Sequence, residues 1–300
     1  MHRALVFCIN KNMKSSGLCI LLVALIFRIL SNPCANMIQK KLSENHSAIL
    51  INLYSYVFLS LFCIFPAHWF NWSQYGVFYW GCVVLSGLLC TLSPVCLIKA
   101  LEFGEMSILG PINSYKCVIG LIFGLIFLKE IPDISGLFGM ITIILGSWLI
   151  FDTTKEGFSF ALLKRKDIIL RFLALFFSGT EAVVLKKIII LSSPLESFIL
   201  WCFSGCIFSF VFMILMKRKF CKIPVRDMYG CLGIAVCLGI MQLSTNYVFQ
   251  KMNVGFGLAL FQLSSIVAVI LGYKMFGEKQ LVKKILGTVI MIVGSCLIIL

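Results

Sequence analysis

Acidic residues are scarce in this chain: 12 Asp and Glu stand against 26 Lys and Arg in 300 residues, a formal net charge of +14. Charged residues of both signs make up only 13%, while 60% of the chain is apolar. So little polar surface cannot cover a water-soluble core. Histidine is nearly absent (His2, His46 and His68, far apart), which argues against a membrane enzyme built on a His/Asp cluster. No Gly-x-x-x-x-Gly-Lys-Ser/Thr occurs, which argues against ATP-driven transport by this chain. The 14 cysteines are scattered through apolar runs with no Cys-x-x-Cys, so neither a disulfide framework nor a bound metal is expected. The alternation of a membrane barrel is missing too.

What is present is a series of long apolar runs, each near the ~20 residues that cross a bilayer, with mean hydropathy +1.03. The runs predict spans at 17–38, 47–66, 78–98, 107–128, 134–151, 168–190, 196–216, 228–249, 255–275 and 281–299. The basic residues fall mostly between them, which suits cytoplasmic loops and lipid head groups rather than nucleic acid. The basic start before the run 17–30 reads as an uncleaved first helix.

The stretch Ser107–Phe151 returns near the end of the chain at a constant offset of 148 residues. Gly124 falls on Gly272, Glu130 on Glu278, Gly139 on Gly287, and Gly146-Ser147 on Gly294-Ser295. We read an internal duplication. The expected fold is all-α and integral to the membrane, with ten helices as two five-helix repeats, 1–151 and 168–300, joined by a linker at 152–167. An odd number of spans per half turns the second half over, giving an inverted repeat. Gly139 and Gly146, seven apart, share a helix face and let a neighbouring helix come close.

Polar groups inside spans are costly and usually face a cavity or one another. On helix 1 these are Arg28, Asn32, Asn36 and Gln39, with Pro33 expected to loosen the backbone. On helix 4 they are Asn113, Ser114, Tyr115 and Lys116, and on helix 6 Thr180 and Glu181. On helices 8 and 9 they are Gln242, Ser244, Thr245, Asn246, Gln262, Ser264 and Ser265. The offset lays Asn113–Lys116 over Phe261–Ser264, so both fourth helices carry polar groups at similar depth. The candidate substrate-binding set is Asn32, Asn36, Asn113, Ser114, Tyr115, Lys116, Gln242, Asn246, Gln262 and Ser264. Interhelical hydrogen bonding would use the same residue types. Glu181 is the candidate proton-coupling carboxylate, against the alternative of a structural ion pair with Lys116 or Lys186. Glu130 and Glu278, at helix ends, are expected to cap the helices that follow them.

Gly110-Pro111, Phe127-Leu128-Lys129-Glu130-Ile131-Pro132, Gly139 and Gly146-Ser147, with Met275–Glu278, Gly287 and Gly294 in the second copy, resemble the EamA branch of the drug/metabolite transporter superfamily. The resemblance implies ten helices in inverted halves around a central cavity, and secondary transport of small polar metabolites, amino acids or related compounds, by export or exchange. Small multidrug members of that superfamily keep a functional Glu on their first helix, the counterpart of the helix carrying Glu181. A bacterial inner membrane is the expected location. The expected partners are a small-molecule substrate and the bilayer, with no nucleic acid and no cofactor; a homodimer stays open. The family keeps both termini in the cytoplasm, whereas the basic residues lie mostly on the opposite side, so orientation stays open as well. A lipid-linked glycan flippase, or its non-transporting partner subunit, is the alternative.

Overall fold

Backbone N–H and C=O groups in hydrocarbon have no water to bond, so apolar runs of this length close their hydrogen bonds internally as helices. The computed structural model describes residues 15–116, 118–119, 134–154, 164–217, 224–252 and 254–298, and those residues contain helices and no strand. The first half comprises α1 (Ser15–Ser43), α2 (Ala48–Ala67), α3 (Val77–Phe103), α4 (Met106–Leu109) and α5 (Ile134–Phe151). The second comprises α6 (Lys166–Leu191), α7 (Pro194–Leu215), α8 (Val225–Lys251), α9 (Val254–Phe261), α10 (Ser264–Phe276) and α11 (Leu281–Leu297). Among the described residues, 8 helical segments are long and apolar enough to cross a membrane. The α11 helix, with 17 residues, falls just short of that length. The expected span 107–128 is described only in its first part. The Lys129–Asp133 turn with Glu130, together with Gly120 and Gly124, lies outside the described residues.

The halves interlock rather than sit side by side. The main pairings are α3 with α6, α1 with α8, α2 with α7, and α5 with α11. Swapping the halves exchanges the first two pairings and maps each of the last two onto itself, as a pseudo-two-fold axis requires. At the α5–α11 crossing the glycines meet reciprocally. A Cβ on Gly139 would lie 2.7 Å from the Gly294 carbonyl, and one on Gly294 would lie 2.7 Å from that of Gly139. Gly146 and Gly287 oppose each other in the same way, at 2.7 and 2.6 Å. The two helices therefore cross antiparallel with backbones in contact, an approach only glycine permits.

Two expectations change. The spans 107–128 and 255–275 are not continuous helices. In the first half, α4 ends at Leu109 and a 3₁₀ turn runs from Pro111 to Ser114 before helical geometry resumes. Pro111 has no N–H to donate, which favours the interruption. In the second half, α9 stops at Phe261 and α10 begins at Ser264. The breaks fall at matching depth in the duplication. By contrast, α1 runs unbroken through Pro33.

Candidate functional site

Four polar side chains of α1, Arg28, Asn32, Asn36 and Gln39, recur every three to four residues and so share one face. That face borders a central cavity of about 140 Å³. The opposite walls come from Ser93 and Pro94 of α3, Asn113 and Lys116 beside the first helix break, and Arg171, Ser178 and Glu181 of α6. Trp201 of α7, Gln242 and Thr245 of α8, and Phe261 of α9 complete them. Both halves thus build one site.

Its charges are uneven. Among the described residues, Arg28, Lys116 and Arg171 line it with a single carboxylate, Glu181. The Arg28 Nε donates to Thr245 Oγ1 at 2.8 Å and its guanidinium lies 4.5 Å from the Phe261 ring centroid, while Nη1 is buried without a hydrogen-bond partner. Arg171 donates to the Leu109 carbonyl at 2.7 Å and to Asn113 Oδ1 at 3.0 Å. The Asn113 Nδ2 donates in turn to Gln262 Oε1 at 3.0 Å, and Gln262 Nε2 to the Leu258 carbonyl at 3.0 Å. This relay ties the two helix breaks together. Ser86 and Trp201 lie beside the Glu181 carboxylate, whose Oε1 is unpartnered among the described residues; Lys116 is the cation acting on it. Of the other described acids, Glu105, Asp152, Asp167, Asp227 and Glu278 each meet a basic side chain elsewhere. Glu196 accepts from the Tyr75 hydroxyl at 2.6 Å, and Glu44 and Glu102 are exposed.

Of the residues singled out from the sequence, Asn32, Asn36, Asn113, Lys116, Glu181 and Gln242 line the cavity. Ser114, Tyr115, Asn246, Gln262 and Ser264 do not. Tyr115 bonds Ser147 of α5 at 2.8 Å. Asn246 accepts from Gln242 at 3.0 Å and donates to the Pro194 carbonyl and Ser197 Oγ at 3.0 and 3.1 Å, fastening α8 to the start of α7. Ser264 Oγ donates to the nearby Phe261 carbonyl at 2.6 Å, and Ser114 Oγ is buried without a partner. Gln262 reaches the cavity only through Asn113. Arg171 was missed, because it sits so close to the start of its span that it passes for a loop charge. Its spacing of seven residues to Ser178, on the face that carries Glu181, was the available signal.

The EamA-like transporter family model matches residues 15–152 and again residues 165–300. The chain belongs to the EamA-like transporter family. The double match is the duplication seen in both the sequence and the helix pairings, and membership points to a transporter rather than an enzyme. A solved crystal structure described only as "protein" superposes on this EamA-like chain with TM-score 0.64, at 12% identity, covering 95% of this chain and 96% of that one. At that identity the likeness speaks for the fold. No curated protein matches in sequence.

Away from the cavity, this EamA-like chain is latched by Glu278. The expectation that Glu278 caps the helix following it is corrected: it caps α4, in the other half. The Met106 and Ser107 N–H groups, left free at the helix start, each donate to its carboxylate at 2.8 Å. Lys40 of α1 adds a third bond at 2.9 Å, and also donates to the Gly104 carbonyl at 3.0 Å. Gly277, at φ +63°, lets the chain leave α10 in the left-handed conformation that aims Glu278 back. Burial alone would raise the Glu278 carboxyl, but the Ser107 hydrogen bonds and the Lys40 ammonium outweigh it and hold the group below its usual range. Lys186 of α6 does for α8 what Lys40 does for α3, donating to the carbonyls of Phe249 and Met252 at the helix C-terminus. Lys186 is thus spent on those carbonyls and is not the ion-pair partner considered for Glu181.

Proposed function

We propose that this chain is a secondary carrier of small polar metabolites that works by alternating access, in export or exchange, with ten spans in two inverted halves. The central cavity carries the reading: a polar pocket walled by both repeats and bordered by segments where both fourth helices break. Broken helices place unpaired backbone ends and polar side chains at a site that lipid-facing helices would not tolerate. Because the repeats are related by a pseudo-two-fold axis, a gate formed by one half has a counterpart in the other, which alternating access requires. Glu181, the sole carboxylate at the cavity among the described residues, is the proton-coupling group in this reading, and Lys116 the cation whose field it feels.

The test is uptake of a labelled metabolite extract by proteoliposomes, with and without an imposed pH gradient. Accumulation of a few compounds above empty vesicles is the expected result. Glu181→Gln should abolish the response to the gradient while leaving solute exchange measurable. A mutant as responsive as the wild type removes Glu181 from coupling. A folded protein that accumulates no water-soluble compound contradicts the carrier itself.

A further inference from the structure

A guanidinium is always charged, and burying it without a counter-ion is costly. Arg28 and Arg171 both border the cavity, and among the described residues neither has a carboxylate within ion-pair distance. Glu181 is the one described acid that reaches the cavity. Even with Lys116 assigned to Glu181 as its neutralising partner, no described acid compensates the two guanidiniums. Arg28 is already aimed: Thr245 holds Nε and Phe261 supports the guanidinium plane, while Nη1 has no partner. Arg171, only 7% exposed, is held by the Leu109 carbonyl and by Asn113, itself a wall residue. Such a pair, fixed by neutral acceptors and missing only negative charge, is built to receive it.

We propose that the solute recognised in this cavity is a small organic anion, whose carboxylate or phosphate-ester group lies against Arg28, with Arg171 supplying the second positive charge. The assignment rests on the carrier reading for its physiological meaning, but binding can be read independently. Size fits: a cavity of about 140 Å³ is close to the roughly 150 Å³ that accommodates a benzene ring, enough for a few carbons and their acid groups. Asn32, Asn36 and Gln242 remain to hydrogen-bond hydroxyl or carbonyl groups on the body of the solute.

The test takes the purified full-length protein and measures thermal stabilisation by succinate, glycerol 3-phosphate, alanine, putrescine and glucose at equal ionic strength. Succinate or glycerol 3-phosphate should raise Tm, and which one acts distinguishes carboxylate from phosphate. Arg28→Gln should weaken that anion by about tenfold or more, and Arg28→Lys should restore part of the loss. Stabilisation by alanine, putrescine or glucose but by neither anion overturns the proposal, as does no stabilisation by either anion, or equal anion affinity in Arg28→Gln and wild type. Counterflow of the same solutes in proteoliposomes is scored separately. Anion binding without counterflow of any solute fails the carrier and leaves the anion site standing. Counterflow confined to neutral or cationic solutes keeps the carrier and fails the anion site.

Discussion

Arg28 and Lys40 lie on the same helix, twelve residues apart. Each stands over a phenylalanine ring, Arg28 at 4.5 Å from Phe261 and Lys40 at 4.6 Å from Phe276. Among the described residues only Lys40 has an acid, Glu278 at 2.9 Å. The Lys40 site is complete as the chain folds: its carboxylate also satisfies two backbone N–H groups, and its ammonium also satisfies a backbone carbonyl. The Arg28 site is incomplete, with one nitrogen left without an acceptor among the described residues. The difference separates a cation that holds helices together from one that waits for something the described residues do not provide.

Breaking the complete site should have the largest effect. Glu278→Ala leaves the partly buried Lys40 ammonium without its counter-ion and two helix N–H groups without acceptors. It should cost about 3–5 kcal/mol, seen as a collapse of Tm and of monodisperse protein in detergent. A milder break is pH. The Glu278 carboxyl is depressed in the fold, so its stabilisation is full above the unfolded value of about 4.3 and is lost as pH falls through the folded value. Tm of the wild type should drop steeply in that acid range, and Glu278→Gln, lower at neutral pH, should show a flatter drop. The smallest stability effect should come from Arg28→Gln, which relieves a charge that no described residue neutralises but gives up the Thr245 hydrogen bond and the Phe261 contact, so that gain and loss offset. Its Tm without added solute should move by less than about 1 kcal/mol equivalent in either direction. A loss as large as that of Glu278→Ala would mean that Arg28 has a structural partner after all, and would erase the comparison.

Much of this was legible in the sequence, for physical reasons that also mark where legibility ends. Apolar length identifies a span, and a duplication keeps its glycines, so Gly139, Gly146, Gly287 and Gly294 could be picked out in advance as sites of close approach. Which glycine opposes which could not, since that depends on how two helices cross. The first helix break had Gly110-Pro111 as its signal, yet they read equally well as the start of a helix. The second has neither Gly nor Pro at Gln262-Leu263; there the side chain of Gln262 takes the Leu258 carbonyl and meets Asn113, contacts that exist only in the assembled protein. Gln242 and Asn246 are one turn apart and looked alike, but the small angular drift of a helical turn puts the first on the cavity and the second against α7. Glu278 was recognisable as a helix cap. That it caps a helix of the opposite half follows only from the interlocked pairing.

That pairing also bears on how the protein is made. Because α1 finds its main partner in α8, α2 in α7, α3 in α6 and α5 in α11, the first helices to leave the ribosome enter the bilayer long before most of their native neighbours exist. Assembly must wait for the second half of the chain, and the newly inserted first half spends that interval with its glycine face and buried polar groups open to lipid and to other nascent proteins.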